Sequence, residues 1–160
     1  MRVAVLMGGT SDERDVSLSS GAEVADALRE AGHEVVAVDT THGLLSREEE
    51  ARLLSGGVDA APPGASDLAR LDERHTVALT RDPSLQDIEV FFLALHGGSG
   101  EDGTLQALLD AARVTYSGSD RLGCSLAMDK EVSKRLLRDA GVPTPDWMTG
   151  QPSEAEVAET

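Results

Sequence analysis

The feature that most constrains this chain is the order of its first 40 residues. Arg2–Met7 is a short valine-rich apolar run ended by Gly8-Gly9. Such a run fits a buried strand opening a parallel sheet. After a loop over residues 8–15, apolar residues recur at Val24, Ala27, Leu28 and Ala31. That is the stripe of a helix lying on a sheet, and Gly32 is placed to end it. Glu34–Asp39 then reads as a second strand. Strand, glycine loop, helix and strand make a βαβ unit with a right-handed crossover. The expected class is α/β, a Rossmann-like open, mostly parallel sheet with flanking helices.

Order is weaker over residues 40–87, which read as an irregular insertion. Within it Ser46–Leu54 is expected to be a short helix capped by Ser46, and Thr76–Thr80 a strand. Ile88–Leu95 is the strongest strand in the chain, followed by the loop 96–103. A helix then carries Leu105, Leu108, Leu109 and Ala112, and Val114–Tyr116 reads as a short strand. A last helix is expected over 129–140 with Asp129 as its cap. Gly141, Pro143 and Pro145 stop it. The polar tail from Gly150 to Thr160 is expected to fray.

Ligands in open α/β sheets sit beyond the carboxyl ends of the strands. Two loops occupy that position, residues 8–17 and 96–103. The first lacks G-x-G-x-x-G and the Gly-Lys-Ser/Thr of a P-loop, and Asp12, Glu13 and Asp15 would repel a pyrophosphate. An acidic loop there suits a cationic group such as an ammonium, with Glu13 the natural candidate. The other reading makes the three acids helix N-terminal charges. His96 stands one residue past a buried strand, where it can orient a carboxylate or exchange a proton. A satisfied structural histidine is the alternative. No second histidine stands at ligand spacing, so no metal site is expected there. Cys124 reads as a small buried residue and not a nucleophile.

The net charge of −15, with Lys130 and Lys134 the only lysines, repels phosphate backbones and anionic lipids. Nucleic acid and membrane surfaces are therefore not expected partners. The first apolar run is too short for a secretory signal, and a cytoplasmic protein is expected.

Taken together the loops resemble one family. Gly8-Gly9-Thr10-Ser11-Asp12-Glu13-Arg14-Asp15-Val16-Ser17-Leu18 looks like the N-terminal signature of D-alanine–D-alanine ligases. Ala94-Leu95-His96-Gly97 with Gly100-Glu101-Asp102-Gly103-Thr104-Leu105-Gln106 looks like their second. Tyr116-Ser117-Gly118-Ser119, Ser125-Leu126-Ala127-Met128-Asp129-Lys130 and Val142-Pro143-Thr144-Pro145 resemble the approach to their ATP-grasp domains. Thr115 stands where a proline usually precedes the tyrosine.

The resemblance implies that residues 1–123 form the substrate-binding domain and that 124–160 open an ATP-grasp central domain. It implies that Glu13 holds the ammonium of the first D-alanine in a catalytic role, with Ser17 nearby and His96 orienting the same molecule. Lys130 would contribute to the nucleotide site. ATP phosphorylates the first carboxylate, and the second D-alanine attacks the acyl phosphate to give the dipeptide for peptidoglycan. Magnesium is implied as well, yet its carboxylates lie further along in the family than Thr160. The expectation is that this polypeptide alone does not ligate. Family members commonly dimerise through this region, which makes a homodimer an implied arrangement. Two other readings compete: a stand-alone module for D-amino acids or protein interaction, and a nucleotide-binding Rossmann-like protein, which the acidic first loop disfavours.

Overall fold

The computed structural model describes residues 1–56, 58, 61–71 and 74–150. The expected fraying tail lies outside the described residues, except for Gly150. β1 (Arg2–Met7), α1 (Arg14–Glu30) and β2 (Glu34–Asp39) form the expected βαβ unit. A short β3 (Gly43–Leu44) follows, then α2 (Arg47–Gly56), α3 (Ala65–Leu68) and α4 (Arg74–Leu79). A 3-10 turn, Pro83–Leu85, leads into β4 (Val90–Leu93), and a second, Gly98–Gly100, precedes α5 (Thr104–Ala112). α6 (Arg121–Met128) and α7 (Lys130–Asp139) close the order.

The sheet runs β3-β2-β1-β4. β1 lies at its centre, parallel to both β2 and β4, and only β3 is antiparallel. A strand covered on both faces must be apolar throughout, which is why Val3 to Met7 are all buried. Side chains alternate along it. Val3, Val5 and Met7 pack with Ala25 of α1, while Ala4 and Leu6 pack with Leu105 and Leu109 of α5. The open, mostly parallel α/β class is thus the observed one.

α1 meets the sheet through smaller residues than its expected stripe. Ser17, Gly21, Ala22 and Ala25 are buried, with Val24 and Leu28 packed alongside, whereas Ala27 and Ala31 are exposed. The helix lies too close for larger groups: a Cβ on Gly21 would sit 2.5 Å from Met7 Cβ.

The stretch 40–87 is more ordered than its composition suggests. Ser46 caps α2 as expected, with Glu49 Oε2 accepting from the Ser46 backbone N–H at 2.7 Å and Ser46 Oγ accepting from Glu49 N at 3.3 Å. Arg29 and Glu50, side chains 14% and 6% exposed, tie α2 to α1. Leu79 and Leu85 belong to the core. The expected strand at Thr76–Thr80 is instead the helix α4. It pairs with no strand: β3 ends the sheet on one side, and Tyr116 bridges Phe91 of β4 on the other. A segment that joins no edge must satisfy its backbone internally.

Val114–Tyr116 is correspondingly reduced to a single parallel bridge, Phe91 with Tyr116. Ser117 Oγ then replaces a ladder carbonyl by accepting from Leu93 N at 3.0 Å. α6, none of whose residues is buried, has no counterpart in the sequence reading. Asp120 caps it, accepting from Gly123 N at 2.8 Å. Asp129 caps α7 as expected, accepting from Val132 N at 3.0 Å. Cys124, expected to be buried, is partly exposed. Desolvation raises its thiol pKa first, and the carboxylates of Asp120, Glu101 and Asp102 add to that, so the thiol stays protonated.

Candidate functional site

β1 and β4 are neighbours, so the loops that leave their carboxyl ends are neighbours too. Three serines bind those loops together. Ser17, fully buried, accepts from Gly8 N at 2.8 Å and donates to the Ala94 carbonyl at 2.7 Å. One hydroxyl thus spans the ends of both strands. Ser11 Oγ donates to the His96 carbonyl at 2.6 Å and accepts from Glu13 N at 3.2 Å. Ser20 Oγ lies 3.2 Å from His96 Nε2.

These contacts bring Glu13 and His96 to one junction. Gly97 has a positive φ of 66°, and a Cβ there would lie 2.9 Å from Glu13 Oε2. The carboxylate therefore rests against the backbone immediately after His96, an approach only glycine allows. Glu13 also lines a cavity of about 170 Å³ with Asp12, Asp15, Val16, Val58, Ala61, Pro62 and Pro63. On the other side, His96 Nδ1 is 3.9 Å from Glu101 Oε1. Glu13 caps α1 by position only, without a side-chain cap bond, which leaves its carboxylate for other partners. Ser17 differs from the other expected site residues. It stands behind the crevice with its hydroxyl committed to backbone groups, and it positions the loops.

Beneath the first loop lies a network that the sequence reading missed. Arg14 reaches Asp39 at the end of β2 with Nη2–Oδ2 2.5 Å, side chains 12% and 4% exposed. Its Nη1 donates to the Gly9 carbonyl at 3.0 Å and to Thr41 Oγ1 at 3.0 Å. Burial pushes the Asp39 carboxyl pKa up, but hydrogen bonds from Arg14 and Thr41 and the Arg14 charge outweigh it and hold it below 3.8. Gly8, φ 85°, leaves room for this pair, since a Cβ would meet Arg14 Nη1 at 2.6 Å. The pairing was hard to find because Arg14 and Asp39 are 25 positions apart. Only the register Met7 to Asp39 puts the acid beside the loop.

Lys130 is not brought to Glu13 and His96 directly. It begins α7, beside a cavity of about 290 Å³ lined also by Glu131, Lys134, Trp147, Met148, Thr149 and Gly150. The connection runs through α6. Ser125 Oγ donates to the Asp102 carbonyl at 2.7 Å, and Ser133 Oγ to that of Leu126 at 2.6 Å.

An acidic group and an imidazole are thus held at the carboxyl ends of parallel strands, the place where open α/β domains bind their ligands. A family profile described as D-ala D-ala ligase N-terminus matches residues 2–119. The chain belongs to this family. It is 38% identical over 149 residues to a D-alanine–D-alanine ligase of Aquifex aeolicus, covering 93% of this chain and 39% of the relative. Against the D-alanine–D-alanine ligase of Moorella thermoacetica it is 38% identical over 148 residues, covering 92% and 37%. Among solved structures, the D-alanine–D-alanine ligase of Bacillus anthracis complexed with ATP superposes with a TM-score of 0.66 at 30% identity, covering 99% of this chain and 42% of that one. The chain thus spans about two-fifths of the length of the relatives it matches.

Proposed function

We propose that this chain forms the wall of a D-alanine–D-alanine ligase that receives the first D-alanine. Glu13 takes its ammonium group and His96 orients the same molecule. The observation that carries this reading is the Glu13 carboxylate lying against Gly97, which joins the two loops at one junction. A carboxylate placed there offers a fixed counter-charge without reorganisation when an ammonium arrives.

The relative complexed with ATP supports a nucleotide-dependent reaction. In that reading α6 and α7 open the nucleotide-binding part, and Lys130 and Lys134 offer phosphate oxygens two cations beside one cavity. ATP, when bound, supplies the phosphoryl group that converts the first D-alanine carboxylate into an acyl phosphate. Among the described residues no three His, Cys, Asp or Glu side chains converge where a metal ion could sit. These residues do not fit a magnesium site.

The test is an amide-resolved NMR titration of this chain with D-alanine and, separately, L-alanine. The expected result is weak, millimolar-range binding, since one wall supplies only part of the contacts. Shifts should centre on Glu13, His96 and Gly97 and vanish in Glu13→Gln. Binding that survives Glu13→Gln unchanged, or shifts confined to other surfaces, would overturn the assignment.

A further inference from the structure

The contacts of Ser20 bear on which nitrogen of His96 carries the proton. Ser20 Oγ is 2.8 Å from the Val16 carbonyl oxygen and 3.3 Å from that of Ser17. A carbonyl oxygen has no hydrogen to give, so the hydroxyl hydrogen must point along the shorter contact. The same Oγ is 3.2 Å from His96 Nε2. With its one hydrogen committed to Val16, Ser20 can only accept from the ring. That geometry favours the Nε2–H tautomer of neutral His96, with Nδ1 left as an acceptor. Glu101 Oε1 stands 3.9 Å from that nitrogen, outside hydrogen-bond range, and a carboxylate is an acceptor as well.

We propose that Ser20 is a positioning residue that fixes this tautomer, so that His96 Nδ1 and Glu101 together present acceptors to an N–H donor of the ligand. The ligand class is an amine or ammonium compound, and a free carboxylate is disfavoured at this edge. An amino acid's ammonium brings three hydrogens to share. Applied to D-alanine this rests on the function proposed above, and it moves His96 from the carboxylate end of the amino acid to the amine end. The tautomer itself does not depend on that function.

The experiment is long-range ¹H–¹⁵N correlation of the histidine rings in the full 160-residue chain, at a pH where they are neutral, with His96 assigned through His96→Gln. The expected spectrum shows His96 as a single Nε2–H tautomer with a directly visible Nε2–H cross-peak. In Ser20→Ala the cross-peak is lost and the ring nitrogens move to the averaged positions of two exchanging tautomers; Ser20→Thr restores the original pattern. D-alanine affinity should fall roughly two- to tenfold in Ser20→Ala and recover in Ser20→Thr, the scale of one net hydrogen bond. A proton on Nδ1 in the unmutated chain, or a His96 spectrum indifferent to Ser20→Ala, overturns the proposal. Should the tautomer behave as stated while D-alanine fails to bind the unmutated chain, the proposed function falls and the role of Ser20 stands.

Discussion

The strand-end loops and the α6–α7 hairpin carry polar contacts of equal length and opposite setting. Arg14–Asp39 and Arg135–Glu131 both close to 2.5 Å. The first pair is 12% and 4% exposed, the second 56% and 43%. Beneath the loops, each charge has lost its water and depends on its partner. On α6 and α7 no residue is buried, and Leu122 of α6 and Leu136 and Leu137 of α7 face outward at 63%, 48% and 42%. There, water stands ready to replace any partner removed. Distance alone therefore says little about what a contact contributes, and burial decides it.

The largest effect should come from Asp39→Ala, which strands the Arg14 guanidinium in a site where it is mostly buried. Breaking a buried pair from one side costs about 3–5 kcal/mol, read as a lower midpoint in urea denaturation. Acid should act on the same contact. The folded Asp39 carboxyl titrates below its ordinary 3.8, so its contribution is complete above that value and is lost as pH falls through the depressed one. Stability of the unmutated chain should drop more steeply below pH 3.8 than that of Asp39→Asn. If both mutants unfold like the parent at every pH, the contrast drawn between the two regions is wrong.

Ser17→Ala should come next. The substitution removes the hydroxyl that satisfies Gly8 N and the Ala94 carbonyl. A buried group left without a partner costs about 1–3 kcal/mol. Hydrogen exchange at Gly8 should accelerate more than exchange in α7, because the loss is local to the strand ends. A uniform acceleration would mean that Ser17 stabilises the whole sheet and not the loop junction.

How much of this was legible in the sequence follows the same division. Val3 to Met7 announce a central strand because burial on both faces admits nothing polar. The two glycine loops announce a site because they follow such strands. Glu13 and His96 could be named in advance for that reason, whereas bringing them together took Ser11 and Gly97, whose part depends on distance across the sheet. Arg14–Asp39 was hidden by strand register, and Ser20 by its resemblance to any helix serine. α6 escaped for another reason. Leu122 and Leu126 stand at helical spacing, but eight residues leave only two turns of pattern, and the remaining cue, Asp120 as a cap, is shared with ordinary turns.

The smallest effect should come from Glu131→Gln. Glu131 and Arg135 are spaced i, i+4 on α7, in the favourable orientation with the acid N-terminal. Both side chains are about half exposed, so the freed guanidinium simply rehydrates, and the expected cost is about 0.3–0.5 kcal/mol, falling further in high salt. The glutamine also keeps a hydrogen-bonding oxygen near Arg135 Nη2, which trims the loss. Set beside Asp39→Asn in the same denaturation series, this variant compares an exposed with a buried carboxylate-to-amide change at an arginine contact of the same length, the buried one also held by Thr41. Equal losses at the two sites would show that α7 is covered in solution by a surface that dries the Glu131–Arg135 pair, and its outward leucines would be the place to look for that cover.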